Sequence, residues 1–153
     1  MAVKTISGSN LVLGVDLAGG SSFTAVGGST TCTLSINQET IDVTNKDSQG
    51  NKEFINGARS WTLDCEAYFT DGTSDGADIP VGGDGTANSG WYPVLESGDK
   101  IKVQFSNTTG QTGARKYTGD GYITSISVNA GISEWSTYSV SIQGTGALTD
   151  AAV

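Results

Sequence analysis

The sequence has 153 residues, enough for one domain with a buried core, and it carries a formal net charge of −8 without a single histidine. Its 22 glycines against 2 prolines, with abundant serine and threonine, favour many strands joined by tight turns over helices. Only 8 basic residues against 16 acids argue against tight binding to a phosphate backbone, which needs clustered lysine and arginine. No stretch predicts a membrane span, and the N-terminus lacks the apolar core of a signal peptide, so we expect synthesis in a cytoplasm.

The acidity is concentrated in one segment. Residues 71–99 hold six of the acids and no base, so the rest of the chain is nearly neutral. The Gly-rich stretch 70–97 is therefore predicted to be an acidic insertion. Asp71, Thr73, Asp75 and Asp78 offer oxygen ligands of the kind that calcium binds. The closing glutamate and flanking helices of an EF-hand are absent, so a solvated loop is the expectation.

Alternating apolar residues predict the strands, because successive side chains of a strand point to opposite faces. Residues 1–10 are expected to form an N-terminal arm. In the first half of the chain the predicted elements are a strand at 11–17, a short strand at 23–26, a hairpin of 31–36 and 40–44 that turns at 37–39, and a polar loop at 45–59.

The longest predicted strand is 60–69, with apolar residues from Trp61 to Phe69 on one face. One helical turn is predicted at 91–96, kept short by Pro93. The remaining predicted elements are strands at 100–106, 116–128 and 137–143, followed by a C-terminal tail at 144–153. Together these elements predict an all-β sandwich or barrel of about seven to eight strands with at most one short helix.

The apolar phase of the last two strands follows from the same alternation. In the first, Tyr122, Thr124, Ile126 and Val128 are predicted to share one face. In the second, the shared positions are Tyr138, Val140 and Ile142.

The residues that enzymes use most often are scarce. Without histidine, the common nucleophile–base pairs are missing, and two cysteines alone do not make a zinc site. Cys32 and Cys65 fall in the apolar phase of their strands, so both are expected to be small core residues, with a disulfide possible if the strands pair. No catalytic residue, metal or cofactor is predicted.

Each of three other motifs has a functional interpretation and a purely structural one. Asp64 and Glu66 lie two apart on a strand, so they face the same side, where a glycosidase could use both carboxylates. An ordinary polar face is the expectation. Gly144-Thr145-Gly146 lacks the third glycine and the helix of a nucleotide loop. Trp91 and Trp135 are the tryptophans expected at the surface, so a carbohydrate-binding or adhesin-like β-sandwich is the alternative function.

Two parts of the sequence resemble the phage major tail protein, or tail tube protein, family. One is the closing YITSISV and YSVSIQGTGALT pair, and the other is the run from Glu39 to Phe69, with its DVT-x-KD turn, its KEF-x-x-G segment and its SW-x-x-x-C strand. The resemblance covers roughly residues 10–70 and 98–149. It departs at 71–97, where family members often carry an amphipathic helix.

The resemblance implies a subunit of hexameric rings that stack into a hollow tube. Such a chain is expected to be a structural protein and not an enzyme, with itself as its main partner and with tape measure, tail terminator and baseplate proteins as the others. DNA would pass through the lumen without specific binding. The expected location is the virion tail, assembled in the cytoplasm of a host bacterium.

Site predictions combine this implied assembly with the charge of each segment. A lumen should not hold phosphates, so acidic and small polar side chains are expected to line it, unless they simply face bulk solvent. The lumen candidates are Glu39, Asp42, Thr62, Asp64 and Glu66. Contacts between subunits or rings are expected from the 45–59 loop, through Lys46, Asp47, Lys52, Glu53, Phe54, Ile55 and Arg59.

Overall fold

The chain folds around a single antiparallel sheet of seven strands with one helix, as far as the described residues show. In the computed structural model these residues are 8, 11–20, 22–26, 28–69, 79, 81–82, 89–107 and 115–152. The prediction of an all-β fold of seven to eight strands is confirmed. Most of the predicted N-terminal arm, and much of the 70–97 insertion, lie outside the described residues. None of the helices in the described part of the chain has the length and apolar character to cross a membrane.

The elements follow in chain order, and neighbouring strands of the sheet are not always consecutive. They are β1 (Leu11–Asp16), β2 (Thr24–Ala25), β3 (Ser29–Asp42), β4 (Phe54–Tyr68), α1 (Trp91–Ser97), β5 (Ile101–Asn107), β6 (Arg115–Asn129) and β7 (Thr137–Ala152). The order across the sheet is β2-β1-β5-β6-β7-β4-β3.

The predicted hairpin turn at 37–39 is wrong. Residues 29–42 form one continuous strand, and Asn37 and Gln38 pair with Ser60 and Arg59 of β4. A polar triplet without glycine or proline gives the backbone no reason to reverse, and the long antiparallel pairing with β4 keeps it extended. The reversal comes later, within residues 43–53.

That reversal is built from a 3₁₀ turn at Lys46–Ser48. Asn45 caps it, since its side chain accepts a hydrogen bond from the N–H of Asp47 at 2.8 Å. Gln49 and Gly50 then take left-handed backbone conformations with φ of 51° and 83°. The predicted 45–59 loop is accordingly shorter than expected, because the segment from Phe54 onward is strand.

The predicted C-terminal tail is also wrong, because β7 continues to Ala152 and pairs with the start of β6. The sequence motif Gly144-Thr145-Gly146 lies where the pairing is interrupted. Residues 146–148 of β7 bulge opposite the single residue Gly119, and Gly146 supplies a φ of 72°. Glycine is required there because other residues rarely adopt that conformation.

A second bulge overturns the predicted phase of β6. Ile123 pairs with Ile142 and Ser125 with Ser141, so Thr124 is an extra residue. The inward positions therefore shift: Ile123 is buried and Tyr122 is exposed, contrary to prediction. The β7 phase of Tyr138, Val140 and Ile142 is confirmed, with all three buried.

One core joins strands that are far apart in the sheet. Leu13 and Val15 of β1 belong to the same buried cluster as Leu63 and Ala67 of β4, so the sheet must curl upon itself. The predicted inward face of β4 is confirmed from Trp61 to Ala67, whereas Phe69 is exposed.

The short helix α1 confirms the helical turn predicted at 91–96. Gly98 ends it with a φ of 73°, and its N–H donates to the carbonyl of Val94. Trp91 is fully buried, and its Nε1 donates to the hydroxyl of Tyr138 at 3.2 Å. The prediction that Trp91 lies at the surface is wrong, because the indole anchors the helix to the core.

Candidate assembly surfaces

Strands β6, β7, β4 and β3 present a polar face on the side of the sheet opposite the core. Paired residues of antiparallel strands share a face, so the register identifies its rows. One row runs Thr33, Asp64, Ser141 and Ser125, and the next runs Thr31, Glu66, Ser139 and Ser127. The result is a surface of small hydroxyl side chains with two carboxylates.

The structure brings together three of the predicted lumen residues on this polar face. Asp64 and Glu66 are exposed and Thr62 is half-buried. The hydroxyl of Ser141 donates to Oδ1 of Asp64 at 2.6 Å, which fixes that carboxylate across the β4–β7 pair. Among the described residues, the two rows and their immediate neighbours on this face contain no lysine or arginine.

The basic residues of the described sheet lie outside these two rows, and Lys116 is near the start of β6, opposite Ser106 and Ala151. Lys100 pairs with Asp120 at 3.5 Å, and Lys102 donates to the carbonyl of Gly20 at 3.2 Å. Arg115 pairs with Asp150 at 3.0 Å at the start of β6. The negative character of the polar face is therefore not offset by a neighbouring base.

Asp42 is not part of the polar face, contrary to the sequence-based grouping. It has the same phase as the inward positions Cys32 and Leu34 of β3, and it pairs with Phe54, ten residues and roughly 33 Å along β4 from Asp64. Thr44 donates both its hydroxyl and its backbone N–H to the Asp42 carboxylate, which holds the pKa of Asp42 below its ordinary value. Glu39 shares the phase of the polar face but lies beyond its rows.

Both outer edges of this four-stranded part lack a partner strand among the described residues. β3 pairs only with β4. β5 covers β6 only as far as Gly121, so the outer edge of β6 from Tyr122 to Asn129 is open. Open edges are a template for pairing with another chain.

The β3–β4 hairpin extends beyond the sheet as a two-stranded arm. β7 pairs with β4 only from Thr62 to Tyr68, so residues 36–60 form a projection that we call the hairpin arm. Its large exposed apolar side chains are Ile36, Ile41, Val43, Phe54 and Ile55. Phe54 is 55% exposed, so it does not fold back onto the core of its own chain.

All the residues predicted for contacts between subunits lie exposed on this arm. Lys46 and Asp47 belong to the 3₁₀ turn at its tip, and Lys52 and Glu53 lie just before β4. Arg59 lies at its base. The predicted contact residues thus all lie on the hairpin arm, some of them in or beside the 3₁₀ turn and the others in β4.

A second apolar surface at the other end of β4 was missed as an assembly surface from the sequence. The β6–β7 turn exposes Ile132 and Trp135 almost completely. The turn lies beside the end of β4, because the N–H of Phe69 donates to the carbonyl of Ser136 at 2.8 Å. In the sequence, this surface is indicated by the two large apolar residues Ile132 and Trp135, which stand in a turn that contains glycine and serine.

The described residues contain no cluster of three or more potential metal ligands. The calcium candidates at 71–78 lie outside the described residues. What the fold and its surfaces define is a protein with open strand edges, a projecting arm and a basic-free polar face, which are features of an assembly subunit.

The comparisons with known proteins agree with this class. Residues 5–78 match the family model described as phage tail tube protein. The resemblance to tail tube proteins indicated by the sequence motifs is thereby confirmed, and that family is one of structural proteins. No curated protein matches the chain.

Solved structures show the same fold over nearly the whole chain. The tail of an empty gene transfer agent particle, refined with C6 symmetry, matches with a TM-score of 0.76 and 24% identity, covering 97% of this chain and 100% of the other. The virion of the native gene transfer agent particle gives 0.73 and 23%, with the same coverage. The tail tube of SPP1 gives 0.68 and 15%, covering 97% of this chain and 80% of that one.

Proposed function

We propose that this chain is the structural subunit of a tail tube, forming hexameric rings that stack around a lumen through which a genome passes. The observation that carries the proposal is the four-stranded part of the sheet, which combines two open edges with a polar face free of basic residues. The family match over residues 5–78 supports the same function.

Ring closure follows from the open edges. The edge of β3 in one subunit pairs with the edge of β6, from Tyr122 to Asn129, in the next. Such pairing satisfies backbone groups that an isolated subunit leaves to solvent, and closing the ring removes the two free edges of this four-stranded part. Six copies are proposed because the similar gene transfer agent tail has C6 symmetry.

The polar face lines the lumen in this arrangement. Asp64 and Glu66 repel phosphates, and the surrounding serine and threonine hydroxyls neither attract nor trap them. A lysine or arginine there would hold the backbone by releasing counterions, which slows sliding. Thr62 lines the same surface, and Glu39 continues its phase toward the hairpin arm.

Stacking of rings uses the two ends of β4. The hairpin arm of one ring reaches the next ring and packs its exposed Ile41 and Ile55 against the turn that carries Ile132 and Trp135. The two surfaces lie at opposite ends of the subunit, so the contact repeats indefinitely along a tube. Lys46, Lys52 and Glu53 add polar contacts at the rim.

The remaining partners follow from the same proposal. A tape measure protein occupies the lumen before DNA, and terminator and baseplate proteins cap the two ends of the tube. The location is the virion tail, with assembly in the cytoplasm of the host bacterium.

Microscopy and charge reversal test the lumen. Negative-stain images of the purified protein should show rings or tubes. Asp64→Lys with Glu66→Lys should leave tubes intact and lower DNA ejection, whereas Glu96→Lys with Asp99→Lys, the same charge change near α1, should not. Unchanged ejection with the first pair would contradict the lumen assignment. A strictly monomeric protein that binds glycans would instead favour the carbohydrate-binding alternative.

A separate variant tests the stacking contact. Ile41→Asp with Ile55→Asp places two charges on the hairpin arm without touching the core. Rings are expected to persist while tubes are lost, because the ring edges are unaltered. Tyr92→Asp, on an exposed apolar residue of α1, is the matched control. Tubes of normal length from the arm variant would contradict the stacking contact.

A further inference from the structure

The two cysteines of the chain are direct partners across β3 and β4. Cys32 pairs with Cys65 in the strand register, and their Sγ atoms lie 2.9 Å apart. Directly opposed residues of antiparallel strands have Cα atoms about 4.5–5.5 Å apart, within the span that a disulfide bridges. Because opposed side chains share a face, no backbone rearrangement is needed to bring the sulfurs together.

We propose that Cys32 and Cys65 form a reversible dithiol–disulfide couple, a modification site at the base of the hairpin arm, whose oxidant is a low-molecular-weight disulfide of the glutathione class. The proposal stands on the pairing of the cysteines and does not depend on the tube function. The thiols are free in this structure, so it represents the reduced form.

The two thiols have different roles in the exchange. Cys32 is half-buried, while Cys65 is 2% exposed. The hydrogen bond between the two sulfurs lowers the pKa of Cys32, while the same contact and burial raise the pKa of Cys65. The more accessible sulfur is also the one that more readily becomes a thiolate, which is the attacking species.

The reaction balances in two steps. The Cys32 thiolate attacks the small disulfide, forming a mixed disulfide and releasing one small thiolate. Cys65 then loses its proton and attacks the Cys32 sulfur, which forms the Cys32–Cys65 bond and releases the second small thiol. Two protein thiols are oxidised, and one small disulfide is reduced to two thiols.

The bond would act on β3, which lies at one edge of the sheet. β3 is held by β4 alone, and the cysteines lie 33 positions apart at the sheet end of the hairpin. Joining them closes a long loop that is open in the reduced unfolded chain, which stabilises the folded state. Oxidation therefore adds a covalent tie between β3 and β4 near the base of the hairpin arm, and reduction removes that tie.

Thiol counting under defined redox conditions tests the couple. The purified full chain is equilibrated with reduced or oxidised glutathione, unfolded in an alkylating reagent and weighed. We expect both thiols to be alkylated after reduction and neither after oxidation, with the oxidised chain monomeric on a denaturing gel without reductant. The midpoint of thermal unfolding should rise by about 5–10 °C on oxidation.

Two variants separate the steps. Cys32→Ser should show no oxidation-dependent shift, because the buried Cys65 alone does not react. Cys65→Ala should stop at a glutathione adduct on Cys32. Two alkylatable thiols in the oxidised wild-type chain, disulfide-linked dimers, or a lasting adduct on Cys32 with Cys65 present would each overturn the proposal.

Discussion

The Trp61 indole packs directly against Gly144. Substituting Gly144 therefore tests how β4 packs against β6 and β7. A Cβ atom added at Gly144 would overlap Cδ2 and Cε2 of Trp61 and lie 2.5 Å from its Nε1. At the six-membered ring of the same indole, a Cβ atom at Gly119 would lie 2.6 Å from Cζ2. The indole is 3% exposed, so it has little room to move away.

Gly144→Ala should therefore destabilise the fold. Overpacking a buried site by one methyl group costs about 1–3 kcal/mol, because neighbouring side chains leave their rotamers or the backbone shifts. For a chain of this size, that corresponds to a fall of about 3–10 °C in the midpoint of thermal unfolding. Circular dichroism and urea unfolding measure both quantities.

The matched control is Gly82→Ala, because no atom of the described residues lies within 4 Å of a Cβ at that position. We expect it to stay within about 0.5 kcal/mol of the parent. Trp61→Phe removes the ring atoms that the new methyl group would overlap, so Gly144→Ala should cost less in that background. Equal costs in both backgrounds, or a Gly144→Ala protein as stable as the parent, would refute the packing argument.

Two further perturbations act at the helix and at the hairpin arm. Tyr138→Phe removes the acceptor of the buried Trp91 Nε1 and should lower the free energy of unfolding by about 1–3 kcal/mol in urea titrations; an unchanged midpoint would contradict the anchoring role of that bond. Because its hydrogen bonds with Thr44 hold the pKa of Asp42 below its ordinary value in the folded chain, the turn is fully present above the unfolded pKa and is lost as pH falls through the folded pKa. The amide signal of Thr44 should titrate with a midpoint below the ordinary aspartate value, and Thr44→Val should raise the midpoint; a midpoint at the ordinary value would contradict the two hydrogen bonds.

Periodicity predicted most strands because burial follows local alternation wherever the pairing is regular. β4 shows this well: Trp61, Leu63, Cys65 and Ala67 alternate in the sequence and are all buried. The prediction failed at β6, where the extra residue Thr124 reverses the phase. A bulge is set by the partner strand, so the alternation within β6 could not reveal it.

The hairpin shows the same division. Its exposed polar residues followed from the sequence, but its pairing did not, because the predicted hairpin of 31–36 with 40–44 is a single strand that pairs with β4. Whether Asn37–Glu39 turns or stays extended depends on β4 being available over the same length, which is a property of the pairing.

The sequence by itself determined an all-β chain, the inward face of β4 and β7, the shortage of catalytic residues and the resemblance to tail tube proteins. Tertiary structure alone decided that the face of Asp64 and Glu66 has no neighbouring base among the described residues and that Asp42 does not lie on it. It also decided that Trp91 is buried and that Cys32 meets Cys65. The physical reason is that composition and alternation act within one strand, whereas register, bulges and open edges arise only when strands pair.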